Sequence, residues 1–205
     1  CQPKWRLEDP SLFFGFWGSC FNDYRNKDCH EGYHILKNWL SREGLSSYVY
    51  TSNVDGHFKR AGFSKVLPIH GELSHWACPT CKDRPTVAAP EGFRFEVDPT
   101  TMRASDTPNT TASAEHSTPE FASNHPRCQG CGGTLRPAVV MFNDEEDILA
   151  QQLVTQQAAH QEWEETMEAA VAEAGQHGVL LELGCGIRVP AVRMECEEVH
   201  RDTLR

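Results

Sequence analysis

Two short apolar runs stand out from a largely polar chain, and polar residues follow each of them. The first run, residues 48–51, combines β-branched and aromatic side chains and predicts a strand that leads into a polar loop at residues 52–56. The second run, residues 66–69, ends at His70-Gly71. Ligands of open α/β sheets bind beyond the carboxyl ends of the strands, so a binding site is predicted where these runs end. Alone, a His-Gly pair is more typical of a loop or of a hydrogen-bonded core histidine than of a catalytic group.

Residues 1–47 have the spacing of interrupted helices and are rich in aromatic side chains. Asp9-Pro10 can begin one helix, in which Gly15 and Gly18 are expected to be weak points. A second helix is predicted over residues 33–40, where large side chains recur at helical spacing. The aromatic density is more typical of a core or a cleft wall than of a cofactor motif. The aromatic and aliphatic positions on the first helix are Leu12, Phe13, Phe16 and Trp17.

The C-terminal half alternates strand and helix patterns. A strand is predicted at residues 138–142, followed by a helix from about residue 143 to 174 that Gly175 ends, and a further strand at residues 179–183. The last strand leads into Gly184-Cys185-Gly186 and a helix from Ala191, which is half of a doubly wound α/β unit. This turn is not a dinucleotide fingerprint, because Val189 stands where that motif needs glycine. The buried stripe predicted for the long helix is Leu149, Leu153, Trp163, Met167 and Val171.

Composition limits the classes of function. The chain has 205 residues, enough for one domain with an inserted module, and its formal net charge of −10 disfavours binding to nucleic acids or anionic membranes. It contains no apolar run approaching the ~20 residues that span a bilayer, and no signal peptide is recognised, so we expect a soluble, intracellular protein. The chain begins at Cys1 without Met and ends without a polar tail, so we expect it to be a piece of a longer protein. Residues 104–126 are small and polar with little to bury, which predicts a flexible insert.

Four of the nine cysteines form two Cys-x-x-Cys pairs, Cys78/Cys81 and Cys128/Cys131. Two-residue spacing lets both thiolates of a pair bind one ion, and four sulfurs complete the tetrahedral shell of Zn²⁺. A closed shell leaves no position for substrate, which predicts a structural zinc ion, one per chain, that joins the ends of the insert. A redox dithiol pair and an iron–sulfur cluster are the alternatives.

Taken together, these motifs resemble the sirtuins, which are NAD-dependent protein-lysine deacylases. Thr51-Ser52-Asn53-Val54-Asp55-Gly56 is similar to the Thr-Gln-Asn-Ile-Asp-Gly loop of that family, and His70-Gly71 is similar to its catalytic His-Gly. The two cysteine pairs, Arg136-Pro137 before an apolar strand, and the final strand with its glycine turn follow in the family's order. The resemblance covers roughly residues 48–190. The sequence of residues 184–190, with the aromatic N-terminal part, looks most like a divergent, bacterial-type branch of the family.

The resemblance implies an α/β fold: an incomplete Rossmann-like, doubly wound parallel sheet with an inserted small four-cysteine zinc module. The Rossmann-like, NAD-binding domain would comprise residues 48–71 and 136–205, and the zinc module residues 72–135, preceded by the helical segment 1–47. NAD⁺ and an acyl-lysine peptide would meet in the cleft between the two parts. The implied reaction releases nicotinamide and O-acyl-ADP-ribose, with no direct role for nucleic acid or membrane.

The resemblance also implies roles for particular residues. His70 would be the general base, and the main chain and side chains at residues 140–143 would pair with the substrate peptide as an added strand. The implied NAD contacts are Ser52, Asn53, Asp55, Gly184, Cys185 and Gly186. The implied peptide contacts are Val140, Met141, Phe142 and Asn143, and the implied zinc ligands are Cys78, Cys81, Cys128 and Cys131.

The chain also departs from the family pattern. Ser52 replaces glutamine, Ile187 stands where Ser or Thr is common, and Asn143-Asp144 replaces Gly-Glu. Residues 1–47 contain neither the Gly-Ala-Gly-x-Ser phosphate loop nor the Asp-Phe-Arg segment of the family. Mono-ADP-ribosyl transfer on the same fold and a catalytically inactive, zinc-stabilised scaffold are therefore the alternative functions. A nucleic-acid-binding zinc ribbon is disfavoured by the acidic charge.

Overall fold

The computed structural model describes residues 2–111, 117–146, 148–174 and 177–203. The described chain is a mixed α/β structure. Its helices are α1 (Trp5–Glu8), α2 (Pro10–Asn26), α3 (Glu31–Leu40), α4 (His57–Arg60), α5 (Ala150–Ala174) and α6 (Ala191–Thr203), with a 3₁₀ turn at Pro119–Phe121. Its strands are β1 (Val49–Thr51), β2 (Val66–Pro68), β3 (Gly71–Ala77), β4 (Val87–Ala88) and β5 (Arg136–Val139).

The five strands form two small sheets. β1 and β2 pair in parallel with Thr51 opposite Pro68. β3 lies between β4 and β5 in an antiparallel sheet, with Gly71 opposite Val139 and a register shift between Glu72 and Trp76. Because β1 and β2 are parallel and in register, their carboxyl ends meet at the same place. The loops that follow the two strands are therefore neighbours.

Helix α2 begins where the sequence predicts. The Asp9 carboxylate accepts a hydrogen bond from Leu12 N at 3.2 Å, and Pro10 occupies the first turn, where its missing N–H costs nothing. Phe13, Phe14 and Phe21 lie on the buried face of the helix, whereas Phe16 is exposed. The predicted core role is confirmed for Phe13 and is wrong for Phe16, whereas Leu12 and Trp17 are half-buried.

The main core joins α2 to the segment between β3 and β5. Trp76 is fully buried, and its ring centroid lies 6.2 Å from that of Phe14 in a stacked pair. Aromatic residues of this kind dominate the energy of a core because each buries a large area. The other members of the cluster are Phe13, Phe21, Leu73, Cys78, Ala89, Phe93, Phe95, Ala104, Phe121, Cys128, Leu135, Val139 and Met141.

The two glycines of α2 permit this packing. A Cβ atom on Gly15 would lie 2.1 Å from the Met102 carbonyl oxygen, and one on Gly18 would lie 2.6 Å from the Phe95 side chain. The helix continues through both glycines, and the close packing that they permit offsets the cost that glycine carries in a helix. Because they have no side chains, the helix backbone can lie close to Met102 and Phe95.

Gly15→Ala tests this contact. Alanine favours a helix over glycine by about 1 kcal/mol, but its methyl group would displace the backbone at Met102, and overpacking a core costs about 1–3 kcal/mol. We expect a net loss of stability, measured as a lower urea midpoint in equilibrium unfolding. Ser19→Ala is the matched control on the same helix and should leave the midpoint unchanged or raise it slightly. An unchanged or raised midpoint for Gly15→Ala would contradict the close approach.

The described parts of the insert, 104–111 and 117–126, contain buried residues, so the prediction that this segment has little to bury is wrong. Ala104 and Phe121 lie in the core, and the Asn124 side chain is 1% exposed. The side-chain oxygen Oδ1 of Asn124 accepts hydrogen bonds from Glu96 N at 3.0 Å and from Asn109 Nδ2 at 2.9 Å. Hydrogen bonds from side-chain amides fix this segment where apolar residues are few.

The strand predicted at residues 179–183 is not formed. These residues have no strand structure, and Val179 and Leu183 are 88% and 60% exposed. Within the described residues the parallel sheet consists of β1 and β2 alone, so the segment has no paired neighbour, and a lone strand leaves its backbone groups unsatisfied. The helix after it begins at Ala191 as predicted.

The long helix differs from its prediction at its start. It begins at Ala150 rather than near residue 143, because Asn143 has a φ of +57° and belongs to a turn. Its described end at Ala174 agrees with the prediction, and Gly175 lies outside the described residues. Leu149 is buried just before the helix, whereas Leu153, Trp163, Met167 and Val171 are half-buried. No helix in the described part of the chain is both long and apolar enough to cross a membrane.

Candidate cofactor loop, peptide edge and metal centre

The loop after β1 is fixed by hydrogen bonds to its own strand and to the strands beside it. Thr51 Oγ1 accepts from Asn53 N at 3.1 Å, and the Thr51 carbonyl accepts from Ile69 N at 2.9 Å. The Val54 carbonyl accepts from Leu73 N at 2.9 Å. These bonds join the Ser52–Gly56 loop, which we call the cofactor loop, to both sides of His70.

Asp55 is held by the start of α4. Its carboxylate accepts a hydrogen bond from His57 N at 2.8 Å and lies 3.8 Å from His57 Nδ1. Gly56 makes the turn into the helix with a φ of +71°, which favours glycine. Asn53 and Asp55 border a void of about 10 Å³, which is room for one water at most, so a larger ligand would have to open this space or lie outside it.

Glu72 is a member of this site that the sequence did not single out. Its side chain is 7% exposed and pairs with Lys59 Nζ of α4 at 2.8 Å. Burial lowers the pKa of the neighbouring His75, while the Glu72 carboxylate acts in the opposite direction. The Glu72–Lys59 pair joins the helix that follows the cofactor loop to the strand that follows His70. The same strand also contains Ser74 and His75, so Glu72 does not stand out in the sequence as a lone polar residue.

His70 lies where β2, β3 and β5 meet. Its carbonyl accepts a hydrogen bond from Val140 N at 2.9 Å. Gly71 has a φ of +80°, and a Cβ atom there would lie 2.1 Å from the Ala138 carbonyl oxygen. Glycine is therefore required after His70 both by conformation and by the approach of β5.

The predicted peptide strand begins and ends earlier than expected, at Arg136–Val139 rather than residues 138–142. It is an edge strand, since the sheet order is β4-β3-β5. Beyond it, Val140 and Phe142 are 44% and 70% exposed, whereas Met141 is buried. The described edge can accept an additional strand, and two apolar side chains stand beside it.

A buried charge network anchors the end of this edge. Arg136 is fully buried and contacts Asp144 Oδ1 at 2.8 Å, Asp144 Oδ2 at 2.5 Å and Glu146 Oε2 at 2.6 Å. Arg6, before α2, contacts Glu146 Oε1 at 3.0 Å and Thr134 Oγ1 at 3.1 Å. Burial raises the pKa of Asp144, but the bonds from Arg136 and from backbone amides outweigh it and hold that pKa below its usual value.

The Gly184-Cys185-Gly186 turn lies in the exposed segment before α6. Cys185 Sγ is 3.7 Å from the Leu183 carbonyl, and Gly184 has a φ of +68°. In the described part of the chain, no hydrogen bond, ion pair or ring contact joins this turn to the cofactor loop or His70. Its role with NAD therefore remains a prediction.

The structure brings the four predicted metal ligands together. The sulfur atoms of Cys78, Cys81, Cys128 and Cys131 all lie within 4.8 Å of one another, and those of Cys78 and Cys131 are 3.6 Å apart. Four sulfurs at about 2.3 Å from a tetrahedral zinc ion are about 3.8 Å apart, so the cluster fits that ion after a small contraction. Cys81 N and Gly130 N lie 3.3 and 3.4 Å from Cys78 Sγ and Cys128 Sγ, and donate to them.

The protonation of these thiols also fits a metal centre. Hydrogen bonding with Cys131, together with burial, raises the pKa of Cys81 to about 12, and burial raises the pKa of Cys78. Burial also acts to raise the pKa of Cys128, but the amides of Cys131 and Gly130 donate to it and bring its pKa to about 7. Four neighbouring thiols cannot all ionise without a cation, and a bound Zn²⁺ supplies the charge that releases their protons.

A parallel strand pair, a polar loop beside a histidine and a cluster of four cysteines together define an α/β protein with a four-cysteine metal module. Residues 2–167 match the Sir2 family. The match covers most of the chain, and the protein belongs to that family.

Curated relatives agree with this assignment. The chain is 27% identical over 145 residues to the "NAD-dependent protein deacetylase" of Shouchella clausii. The aligned region covers 70% of this chain and 47% of that protein. The chain is 32% identical over 115 residues to the "NAD-dependent protein deacylase" of Aquifex aeolicus, covering 56% and 36%. The chain thus spans about half the length, or less, of these relatives. Among solved structures, a Sir2 homologue in complex with NAD is 22% identical with a TM-score of 0.47, covering 73% of this chain and 48% of the other.

Proposed function

We propose that the whole protein removes acyl groups, acetyl among them, from protein lysine in an NAD⁺-dependent reaction that releases nicotinamide and O-acyl-ADP-ribose. One observation carries the proposal: the His70 carbonyl accepts a hydrogen bond from Val140, just after β5, and the chain on either side of His70 is hydrogen-bonded to Thr51 and to Val54 of the cofactor loop. The names of the relatives and the membership of the Sir2 family support the same reaction class.

His70 would act as the general base. NAD⁺ would be held at Ser52, Asn53 and Asp55, and it would supply a ribose carbon to which the acyl oxygen of the lysine amide can bond as nicotinamide leaves. The imidazole would take a proton from a ribose hydroxyl, so that this hydroxyl can attack the acyl carbon. The lysine amine would then leave with that proton, and a water molecule would add to the acyl carbon to complete O-acyl-ADP-ribose. Imidazole suits this step because its ordinary pKa lies close to neutrality.

The neighbouring residues would position the reactants. Asn53 and Asp55 would orient the nicotinamide carboxamide, and Ser52 would face the ribose with a shorter side chain than the family's glutamine provides. Gly184, Cys185 and Gly186 would contact the other end of NAD⁺ through their backbone amides. The described turn is exposed, so this contact requires the segment to approach the cofactor loop.

The substrate peptide would pair with the backbone at residues 140–143. Val140 and Met141 follow β5 directly, and the turn at Phe142 and Asn143 ends this stretch. An extended peptide would add at this edge as a strand, with the Met141 N–H exchanging its bond to Asp144 Oδ2 for one to the peptide. The exposed Val140 and Phe142 side chains would give apolar contacts on either side of the acyl-lysine. The acidic net charge argues against nucleic acid as the partner.

A reducing, intracellular location suits this chemistry. The eight cysteines in the described chain are free, with none in a disulfide, and four of them are the proposed zinc ligands. Thiolate metal sites of this kind are typical of compartments in which cysteines stay reduced.

His70→Ala tests the assignment. We expect nicotinamide release from NAD⁺ with an acetyl-lysine peptide to fall by about 10²–10⁴-fold in the full-length protein, since that is the usual contribution of a general base. The nicotinamide is quantified by chromatography, and the masses of the peptide and ADP-ribose products are determined by mass spectrometry.

His34→Ala is the control, because His34 is exposed on α3 and lies outside the site. Equal rates for His70→Ala and the wild-type protein would refute the role of His70. A peptide that gains the mass of ADP-ribose instead of losing its acyl group would establish ADP-ribosyl transfer. No turnover by the wild-type full-length protein with any acyl-lysine peptide would leave the scaffold function.

A further inference from the structure

A second group of metal-ligating side chains lies away from the four cysteines, where α5 meets α6. It consists of His160 and Glu164 of α5 and Glu195 of α6, and one ligand atom of each lies within 4.8 Å of the others. His160 and Glu164 are four residues apart on one helix, so they share a face. Glu195 reaches the same point from the other helix.

His160 and Glu164 are spaced as two ligands of one ion rather than as a hydrogen-bonded pair. His160 Nδ1 and Glu164 Oε2 are 3.9 Å apart, which is beyond the range of a hydrogen bond. Ligands at about 2.1 Å from one metal ion lie about 3–4 Å apart, so an ion between them requires little movement. One neutral imidazole and two carboxylates offset the charge of a divalent cation.

The surroundings of His160 favour a built site over a surface cluster. His160 is 8% exposed, and its ring centroid lies 4.8 Å from that of Tyr48 and 5.5 Å from that of Tyr50. The Glu195 carboxylate lies beside Tyr50. An outer partner next to a metal-binding carboxylate commonly helps to fix its orientation.

We propose that His160, Glu164 and Glu195 bind one first-row divalent transition-metal ion of the Zn²⁺ or Co²⁺ type. An imidazole ligand favours such ions over Mg²⁺ and Ca²⁺, which prefer oxygen ligands alone. Because Glu195 comes from α6 and Tyr50 from β1, the bound ion would fasten α6 to α5 and to the strand that precedes the cofactor loop. The ordinary alternative is an ion pair of His160 with Glu164 on its own helix and with the nearby Glu195, and such a pair would bind no metal ion.

The test is a Co²⁺ titration of the full-length protein, free of any histidine tag and first shown by elemental analysis to hold one zinc ion per chain. We expect one further equivalent to bind, with the weak visible absorption of cobalt coordinated by nitrogen and oxygen and without the intense near-ultraviolet band of cobalt thiolates. Glu195→Gln and His160→Ala should each weaken this binding about tenfold or more. Co²⁺ should also protect residues 177–203 from limited proteolysis in the wild-type protein alone.

Glu162→Gln is the matched control, since Glu162 is an exposed carboxylate on α5, and it should bind Co²⁺ as the wild-type protein does. Circular dichroism shows whether each variant is folded. If His160→Ala does not fold, Glu195→Gln decides, because glutamine preserves the size and helical preference of that position. The proposal is overturned if no second equivalent binds, if Glu195→Gln binds as tightly as the wild-type protein, or if a thiolate band shows that cobalt has only replaced zinc at the cysteines.

Discussion

Replacing Cys128 with serine will leave the protein without its folded core. Cys128 is 4% exposed and, with Cys78, belongs to the same buried cluster as Trp76 and the aromatic residues of α2. Structural zinc sites contribute about 10–16 kcal/mol of apparent binding free energy, which is as large as the whole stability of a typical domain, about 5–15 kcal/mol. Losing one ligand therefore removes enough free energy to unfold this region. The near-ultraviolet circular dichroism of the core should disappear, together with the bound zinc.

Cys29→Ser is the control for this experiment. Cys29 is half-buried and donates to the His57 carbonyl, and a serine hydroxyl can make the same hydrogen bond. We expect it to retain zinc and near-ultraviolet dichroism. Treatment of the wild-type protein with a strong chelator should reproduce the spectrum of Cys128→Ser. A folded, zinc-free Cys128→Ser protein would contradict the structural role of the metal.

The second large effect is expected for Arg136→Met. The substitution keeps most of the side-chain volume but leaves Asp144 buried at 6% exposure without its positive partner. Breaking a buried ion pair by removing one partner costs about 3–5 kcal/mol, because the remaining charge is uncompensated. The measurement is the free energy of unfolding from urea titrations at neutral pH.

The pH dependence separates this charge effect from a loss of packing. The folded pKa of Asp144 is below its unfolded value, so the ionised carboxylate contributes stability above the unfolded pKa of about 3.9, and this contribution disappears as the pH falls through the folded pKa. In Arg136→Met the pKa of Asp144 should rise, since burial remains and the guanidinium does not. The difference in stability between variant and wild-type protein should therefore shrink between pH 7 and pH 3.

Arg127→Met is the matched control. Arg127 pairs with Asp106 at the surface, with about half of its side chain exposed, so its loss should cost no more than about 1 kcal/mol. Equal effects of the two substitutions, or a difference at Arg136 that does not change with pH, would show that the buried network is not a charge interaction.

The sequence predicted those parts of the site that depend on local spacing. Two residues between paired cysteines, or two polar residues after a β-branched run, are constraints that neighbouring residues satisfy among themselves. The four cysteines therefore cluster as predicted, and residues 52–56 and His70 follow strands as predicted. Local patterns also located α2, α3 and α6.

What the sequence did not predict depends on partners far along the chain. The buried position of Asn124 depends on Glu96 and Asn109, and the role of Gly15 depends on Met102. Composition alone indicates a loose segment around Asn124 and a weak helix around Gly15, because no local pattern records a distant hydrogen bond or contact. Glu72 was overlooked for the same reason, since its partner Lys59 lies on another element.

For residues 179–183, by contrast, the local pattern predicted a strand that does not form. Its Val-Leu-Leu-Glu-Leu pattern is typical of a buried strand, yet its residues are exposed. Strand propensity describes how a residue fits a half-buried pleated surface, so it has no effect where no neighbouring strand supplies that surface.

Helix α2 packs against the segment between β3 and β5, so the cysteine-containing part of this protein cannot be transferred to another protein without that helix. A graft that transferred only residues 72–135 to another scaffold would carry the cysteines but would expose the surfaces that Phe13, Phe14 and Phe21 cover. Such a graft would be an aggregation-prone fragment rather than a portable zinc module. The smallest transferable unit has to include the helix at Pro10–Asn26 together with the cysteines that lie far from it in sequence.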